Sequence, residues 1–505
     1  MHGIGQWLIK REQIAPNKEA VVDRDRRVTY QQLNDRVNRL ARALAALGLK
    51  HGDRLGVLSY NCSEFVEIIF ATAKLGLIMV PLNWRLTASE LGFMLNDSET
   101  KAMIFDPELS ALAKEINQAV SLDSLVSLGT SPELEAHQYE EILSKQNPEE
   151  PEPAKPVDMD TPHIIMYTAG TTGKPKGAVL SQGAGFWNAV NLQQAMEFNS
   201  ADRDLLVLPM FHIGGIGLFT LPMLYVGGTV VIQRTFDPVE TLRLLEQENI
   251  SLFFGVPAIF LFLIQHEQFE ADAFEKVRVV MSGGAPLPAS LVKQYHQAGI
   301  TLQQGFGMSE AAPSIATLGK DHALAKAGSI GRPVFHLNAR IVDDDGKPLG
   351  VNQVGELLIK GPNVMQGYWN RPEANDEAFV DGWFRTGDLA RMDEDGDLYI
   401  VDRKKDMFIS GGENVYPAEV EDAIYELDQV AEAALIGVPD EKWGEVGKAF
   451  VVVKEGMSLG QDECLDYLKT KLAKYKIPKS VVFMEALPRN AAGKVLKKSL
   501  REEQV

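Results

Sequence analysis

Cysteine is nearly missing from this sequence. Only Cys62 and Cys464 occur in 505 residues, far apart and in no metal-ligand spacing. A disulfide framework and a structural zinc site are therefore excluded, and a reducing compartment fits. An excess of positive charge is missing too. The chain carries 50 Lys and Arg against 69 Asp and Glu, a formal charge of −19. Bulk electrostatics therefore oppose binding to nucleic acid, and an anionic ligand needs a locally basic site. Residues 1–10 contain no apolar core of the signal-peptide kind. Residues 205–233 contain no formally charged side chain, but they hold Pro209, Pro222, Gly214, Gly215, Gly217, Gly227 and Gly228. Helix breakers at that density predict strands, turns and a buried pocket wall, with no transmembrane segment. The expected location is cytoplasmic, with or without peripheral association with a membrane.

What is present describes a globular protein of several parts. Hydrophobic residues make up 45% and charged residues 24%, and the length exceeds what one compact core holds. Thr29 and Gln32 form a candidate capping box. Leu33, Val37, Leu40, Leu44 and Leu47 then repeat at helical spacing up to Gly48. Residues 54–60 read as a strand, 65–75 as a buried helix ending at Gly76, and 77–80 and 102–106 as short strands. This alternation predicts an α/β fold with a largely parallel sheet covered by helices. A polar, proline-rich stretch, 147–162, interrupts it, and a strand at 163–167 follows. Asp343-Asp344-Asp345-Gly346 and Asp393-Glu394-Asp395-Gly396 read as hairpin turns; their glycines fall too early for an EF-hand. Between Lys469 and Arg501 there are ten Lys or Arg and one acidic residue, Glu485. Most of these belong to a solvated surface, and some can meet phosphates.

The strongest local signal is Tyr167-Thr168-Ala169-Gly170-Thr171-Thr172-Gly173-Lys174-Pro175-Lys176-Gly177. Its glycines let backbone N–H groups approach an anion, its hydroxyls donate to phosphate oxygens, and its lysines supply charge. It is not a Walker A loop: Gly170 and Gly173 are too close, and Pro175 stands where Ser or Thr should follow the lysine. Further blocks follow in order: Pro209-Met210-Phe211-His212-Ile213-Gly214-Gly215, Ser282-Gly283-Gly284-Ala285-Pro286, Gly305-Phe306-Gly307-Met308-Ser309-Glu310 and Thr386-Gly387-Asp388. After these come Asp402-Arg403-Lys404-Lys405-Asp406, Ser410-Gly411-Gly412-Glu413-Asn414 and Pro488-Arg489-Asn490-Ala491-Ala492-Gly493-Lys494.

As an ordered set these blocks resemble the adenylate-forming superfamily, which comprises acyl- and aryl-CoA synthetases, peptide-synthetase adenylation domains and firefly luciferase. The resemblance implies a large N-terminal α/β region with a β-barrel-like part, 1–404, and a small mobile α+β C-terminal domain, 405–505. It implies ATP, Mg2+ and coenzyme A as cofactors, and a small carboxylic acid as the other partner; a homodimer is left open. In its terms Thr168, Ala169, Gly170, Thr171, Thr172, Gly173 and Lys174 hold phosphates. Gly283, Gly284, Ala285 and Pro286 line the adenine, on which Phe306 stacks, beside Gly307 and Ser309. Glu310 associates with magnesium. Asp388 and Arg403 meet the ribose, Lys405 is the hinge, and Gly411 and Gly412 line a pantetheine passage. His212 contacts or gates the substrate carboxylate. Many relatives carry tyrosine where Phe306 stands, so a phenol contact is lost. Trp187 is expected in the core.

The implied chemistry suits the residue types. A carboxylate must approach the α-phosphate of ATP, another anion, and Lys494 can bridge the two. Gly214 and Gly305 suggest a deep acyl cavity, which makes a medium- or long-chain fatty acid the leading substrate and an aryl or hydroxycinnamic acid the second. A ligase that loads a carrier protein shares every motif. A luciferase-like oxygenase needs a luciferin pocket, and a non-catalytic sensor should have lost Lys494 or Glu310. Lys494→Ala is expected to abolish acyl-adenylate formation while sparing thioester formation from supplied acyl-adenylate. Equal loss of both half-reactions in single-turnover assays would give Lys494 another role.

Overall fold

A computed structural model describes residues 3–131, 133–168, 175–440, 442–489 and 495–502. The expected phosphate-binding residues Ala169, Gly170, Thr171, Thr172, Gly173 and Lys174, and the expected catalytic Lys494, lie outside the described residues.

The capping box at Thr29 forms. Its hydroxyl accepts the Gln32 N–H at 3.3 Å, and the Gln32 side chain accepts the Thr29 N–H at 2.9 Å. The helix Tyr30–Ala46 follows, with Leu33, Val37, Leu40 and Leu44 wholly buried. Strand Arg54–Leu58 pairs in parallel with Ile78–Pro81 and Thr100–Phe105, as the βα alternation predicts. The whole first sheet has eight strands, and Pro162–Thr168, Lys176–Ser181 and Gly367–Tyr368 make one side of it. A second sheet, of nine strands, is parallel from Glu19–Asp23 through Thr229–Ile232, Arg203–Leu206, Leu252–Gly255 and Val279–Ser282 to Leu302–Gly307. It turns antiparallel at Ser314–Thr317. Helix Ser63–Leu75 contacts strands of both sheets, which explains its nearly continuous apolar run.

The expected barrel-like part is a five-stranded antiparallel sheet built on Gly355–Lys360 and Trp383–Met392 and ending with Leu398–Arg403. Both aspartate-rich turns lie in this region. In one of them Asp393 Oδ1 accepts the N–H of Asp395 at 3.0 Å and of Asp397 at 2.9 Å, and the Lys326 ammonium lies 2.7 Å from Asp393 and 2.6 Å from Asp395. A fourth sheet, also of five strands, begins at Phe408–Ser410 and carries helices Pro417–Tyr425 and Gln461–Lys469. The uncharged stretch is a strand end, a π-helical turn Gly214–Leu218, a helix Thr220–Val226 and a strand Thr229–Ile232. Among the described residues no helix is long and apolar enough to cross a membrane. Cys62 and Cys464 are free and buried.

One charge is fully buried in the central helix. Glu67 accepts from Arg36 Nε at 2.6 Å, Arg26 at 3.1 Å and the Tyr139 hydroxyl at 2.7 Å. Burial nonetheless holds its carboxyl above the usual range, with Arg36 opposing. Removing one partner of such a cluster leaves a carboxylate under-compensated in low dielectric. Arg36→Met is therefore expected to destabilise the protein by about 3 kcal/mol, read as a lower urea midpoint. An unchanged midpoint would mean that Arg26 and Tyr139 suffice.

Candidate active site

Strand Leu302–Gly307 leaves the second sheet, makes a single 3-10 turn at Ser309–Ala311 and returns as Ser314–Thr317. This turn aims Glu310, 7% exposed, at the first sheet. There the Tyr368 hydroxyl donates to Glu310 Oε1 at 3.0 Å and the Thr168 hydroxyl at 3.4 Å. Thr168 is the last residue of its strand, and Tyr368 lies on the edge strand beside Lys176–Ser181. Burial, and then the Glu310 carboxylate, push the Tyr368 phenol well above its usual range, so it remains a donor at neutral pH. The Lys176 ammonium sits 5.3 Å from the centre of the same ring. The backbone of the turn is held as well. Met365 N–H donates to Glu310 O at 2.8 Å, and the Asn363 amide donates to Ala311 O at 2.7 Å and Ser314 O at 2.9 Å. The carboxylate of Glu310 and the hydroxyl of Thr168 are hard oxygen donors of the kind magnesium selects.

The loop expected to line the adenine meets the Gly305–Glu310 block by close backbone approach. A β-carbon on Gly283 would stand 2.8 Å from Gly305 O and 3.0 Å from the Phe254 ring. Glycine avoids both contacts at Gly283, while a β-carbon on Gly284 would meet Val256 at 3.6 Å. Phe306 is half-buried opposite Ala316. Ser309, also half-buried, opens the Glu310 turn.

Asp388 and Arg403 face each other across an antiparallel pair. Arg403 Nε lies 2.7 Å from Asp388 Oδ1, with Asp388 2% exposed. The pair can offer a carboxylate oxygen and guanidinium N–H groups to a diol. Lys405 lies just past the end of that sheet, before Phe408–Ser410 begins the fourth. The residues before it are anchored: Lys404 N–H donates to Gly387 O at 3.0 Å, and Asp402 Oδ2 accepts the N–H of Ala418, beyond Lys405, at 2.8 Å. Gly411 and Gly412 form an exposed turn, in which Gly411 N–H donates to Trp443 O at 2.8 Å.

The block around His212 is clamped to the Glu310 turn. A β-carbon on Gly217 would stand 2.7 Å from Ala312 O. The Asn188 amide donates to Gly217 O at 2.6 Å, and its oxygen accepts the Ser314 N–H at 3.1 Å. The His212 ring packs on Phe211 at 4.6 Å between centroids, and Phe211 meets Trp84 at 6.0 Å. The space beside Gly305 is filled by Met281 Cε, 3.0 Å from where a β-carbon would be, and Gly214 faces Leu208 and Leu218 at 3.4 and 3.5 Å. A β-carbon would thus make ordinary contacts at Gly214 and would press on the end of a flexible side chain at Gly305. Trp187, expected in the core, is half-buried between Phe186 and His336.

Tyr368, Asn188 and Asn363 stand in no motif, and sequence reasoning passed over them. Asn188 and Asn191 are amides in a helix that packs on the core, which is the signal that could have marked them. Tyr368→Phe removes one hydrogen bond to Glu310, worth about 1 kcal/mol. The expected result is roughly a fivefold loss in kcat/KM for ATP-dependent pyrophosphate release. A wild-type rate would mean that Thr168 alone orients the carboxylate.

Comparison with known proteins agrees with this geometry. Residues 10–369 match the AMP-binding enzyme family, and residues 419–494 match the AMP-binding enzyme C-terminal domain. A feruloyl-CoA synthase of Amycolatopsis is 42% identical over 99% of this chain and 98% of its own. An indoleacetate–CoA ligase of Aromatoleum aromaticum is 40% identical over 99% and 98%. The long-chain-fatty-acid–CoA ligase FadD13 of Mycobacterium tuberculosis is 39% identical over 100% and 99%. Among solved structures, ATP-bound MatB from Rhodopseudomonas palustris superposes with a TM-score of 0.92 at 31% identity, covering 100% of this chain and 99% of that one. The o-succinylbenzoate CoA synthetase MenE of Bacillus subtilis, with its acyl-adenylate intermediate, gives 0.88 at 34% identity and 98% of each chain. With its motifs assembled on this fold, the chain belongs to the AMP-binding enzyme family and is an AMP-forming acid–thiol ligase.

Proposed function

We propose that the protein activates an aryl- or arylalkyl-carboxylic acid with ATP and transfers the acyl group to coenzyme A. The observation that carries this reading is the clamp of the His212 block onto the Glu310 turn through Gly217 and Asn188. It sets an acid-binding wall directly beside the phosphate site. In the first half-reaction a carboxylate oxygen attacks the α-phosphorus of ATP, and pyrophosphate departs. Thr168 and the loop after it hold the phosphates, Phe306 stacks on the adenine, and Asp388 with Arg403 holds the ribose. Magnesium at Glu310 would neutralise the leaving pyrophosphate. Lys494 neutralises the approach of the two anions. In the second half-reaction the thiolate of coenzyme A attacks the acyl carbon and AMP leaves. The C-terminal domain turns about Lys405 between the steps, which brings Gly411 and Gly412 to the thiol path.

The aryl class is supported by the side chains around the acid wall. Phe219 and Phe254 meet at 5.7 Å beside Leu208, Gly214 and Leu218, and Phe211 packs on His212; aromatic edges favour a planar ring. The feruloyl and indoleacetate relatives act on acids of this class by name. The FadD13 relative favours a second reading, a long-chain fatty acid. A panel of hydroxycinnamic, indoleacetic and straight-chain acids separates the two, with pyrophosphate release and coenzyme A consumption followed together. The expected result is a kcat/KM for an aryl acid at least about tenfold above that of any straight-chain acid, with one coenzyme A consumed per pyrophosphate. A kcat/KM that climbs about fourfold per added methylene, at roughly 0.8 kcal/mol each, would restore the fatty-acid reading.

A further inference from the structure

Asp204 is a carboxyl with no apparent task. It sits mid-sheet in strand Arg203–Leu206, flanked by Val230 and Leu252, and is 1% exposed. Its Oδ2 is buried and meets no hydrogen-bond partner among the described residues. Arginines on its own strand and in a nearby strand region are engaged elsewhere. Arg203 reaches Glu19 at 2.9 Å and Glu248 at 2.6 Å, and Arg278 reaches Asp202 at 2.6 Å. Burial alone raises the Asp204 carboxyl well above the usual range. A carboxyl held there can accept a hydrogen bond, and its protonated form can donate one.

Asp204 also lines a cavity. The space is about 10 Å³, the size of one water or one hydroxyl, and its wall includes Leu208, Gly214, Leu218, Phe219 and Phe254. Gly214 and Leu218 belong to the block that follows His212. Phe254 has its other side against Gly283, in the adenine-lining loop. The cavity is thus separated from the nucleotide loop by the thickness of one ring. A buried carboxyl left unmet is costly, and an apolar residue would be the default in this strand.

We propose that Asp204 forms the polar end of the acyl pocket and selects acids whose ring carries a hydrogen-bond donor, a phenolic hydroxyl or a ring N–H, remote from the carboxylate. The acid's ring lies along the wall of Gly214, Leu218 and Phe254, and its donor fills the hydroxyl-sized space at Asp204. This rests on the reading of the His212 block as the acid-binding wall.

The test uses matched acids: para-hydroxycinnamic against cinnamic acid, and indoleacetic against benzofuranacetic acid, with straight-chain acids alongside. Wild type, Asp204→Leu and Asp204→Val are compared by kcat/KM for pyrophosphate release. The expected result is a wild-type preference of roughly tenfold for the donor-bearing member of at least one pair. That ratio falls to about one in both variants. Equal ratios in wild type and either folded variant overturn the proposal, since Asp204 then holds only a water. A wild type with no preference in either pair overturns it regardless of how the variants fold. Turnover of straight-chain acids without any aryl acid is a different failure: it overturns the aryl reading, and the role of Asp204 with it.

Discussion

Glu310 has to be brought, as a charged carboxylate, to the seam between two separately hydrogen-bonded sheets, and most of the site follows from how that is done. A carboxylate at a buried seam needs donors from the far side. The first sheet provides them through Tyr368 and Thr168. The turn that carries Glu310 needs its own peptide groups satisfied, and residues 363–365, the connection leading to that edge strand, satisfy them. The same turn presents Ala312 to Gly217 and Ser314 to Asn188, so the His212 block is held by the turn that carries Glu310.

The net charge of −19 makes this local arrangement necessary. Bulk field repels ATP and the acid alike, so attraction has to come from short-range groups such as Lys176, Arg403 and the basic tail. The C-terminal part is tied to the same region by charge. Lys497 lies 2.8 Å from Glu421. Burial disfavours its ammonium, yet Glu421 and Asp402 hold its pKa above the usual value. Arg501 lies 3.0 Å from Asp406. Asp402, which precedes Lys405, also accepts the N–H of Ala418, which follows it, at 2.8 Å, so a rotation about Lys405 would have to break that bond.

The sequence made the blocks legible because each is local: a capping box, a glycine-rich turn, a hairpin turn with its aspartate. The capping box at Thr29 and the turn at Asp393 form as their spacing requires. The order of the blocks made the family legible. Long-range partners left no such trace. Tyr368 lies 58 residues from Glu310 and Asn188 lies 126 from Ser314, and nothing in a linear pattern pairs them. Gly214 and Gly305 show the opposite difficulty. An absent side chain reads equally as open space or as close packing, and only the structure names the neighbours, Leu208 and Leu218 at Gly214 and Met281 at Gly305. Asp204 was invisible for a related reason: an aspartate at the start of an apolar strand reads as a surface residue until its burial is seen.

The claim that one turn joins the phosphate site to the acid wall is tested most directly by hydrogen exchange with and without Mg·ATP. The bonds in question are individual amides: Met365 to Glu310, Ser314 to Asn188, and Met308 to Pro313. If the turn is the common anchor, nucleotide alone slows exchange at these three amides together and also slows it through Gly214–Leu218. Slowing confined to the segment around Phe306, with the amides of residues 214–218 and 365 unchanged, would contradict the account.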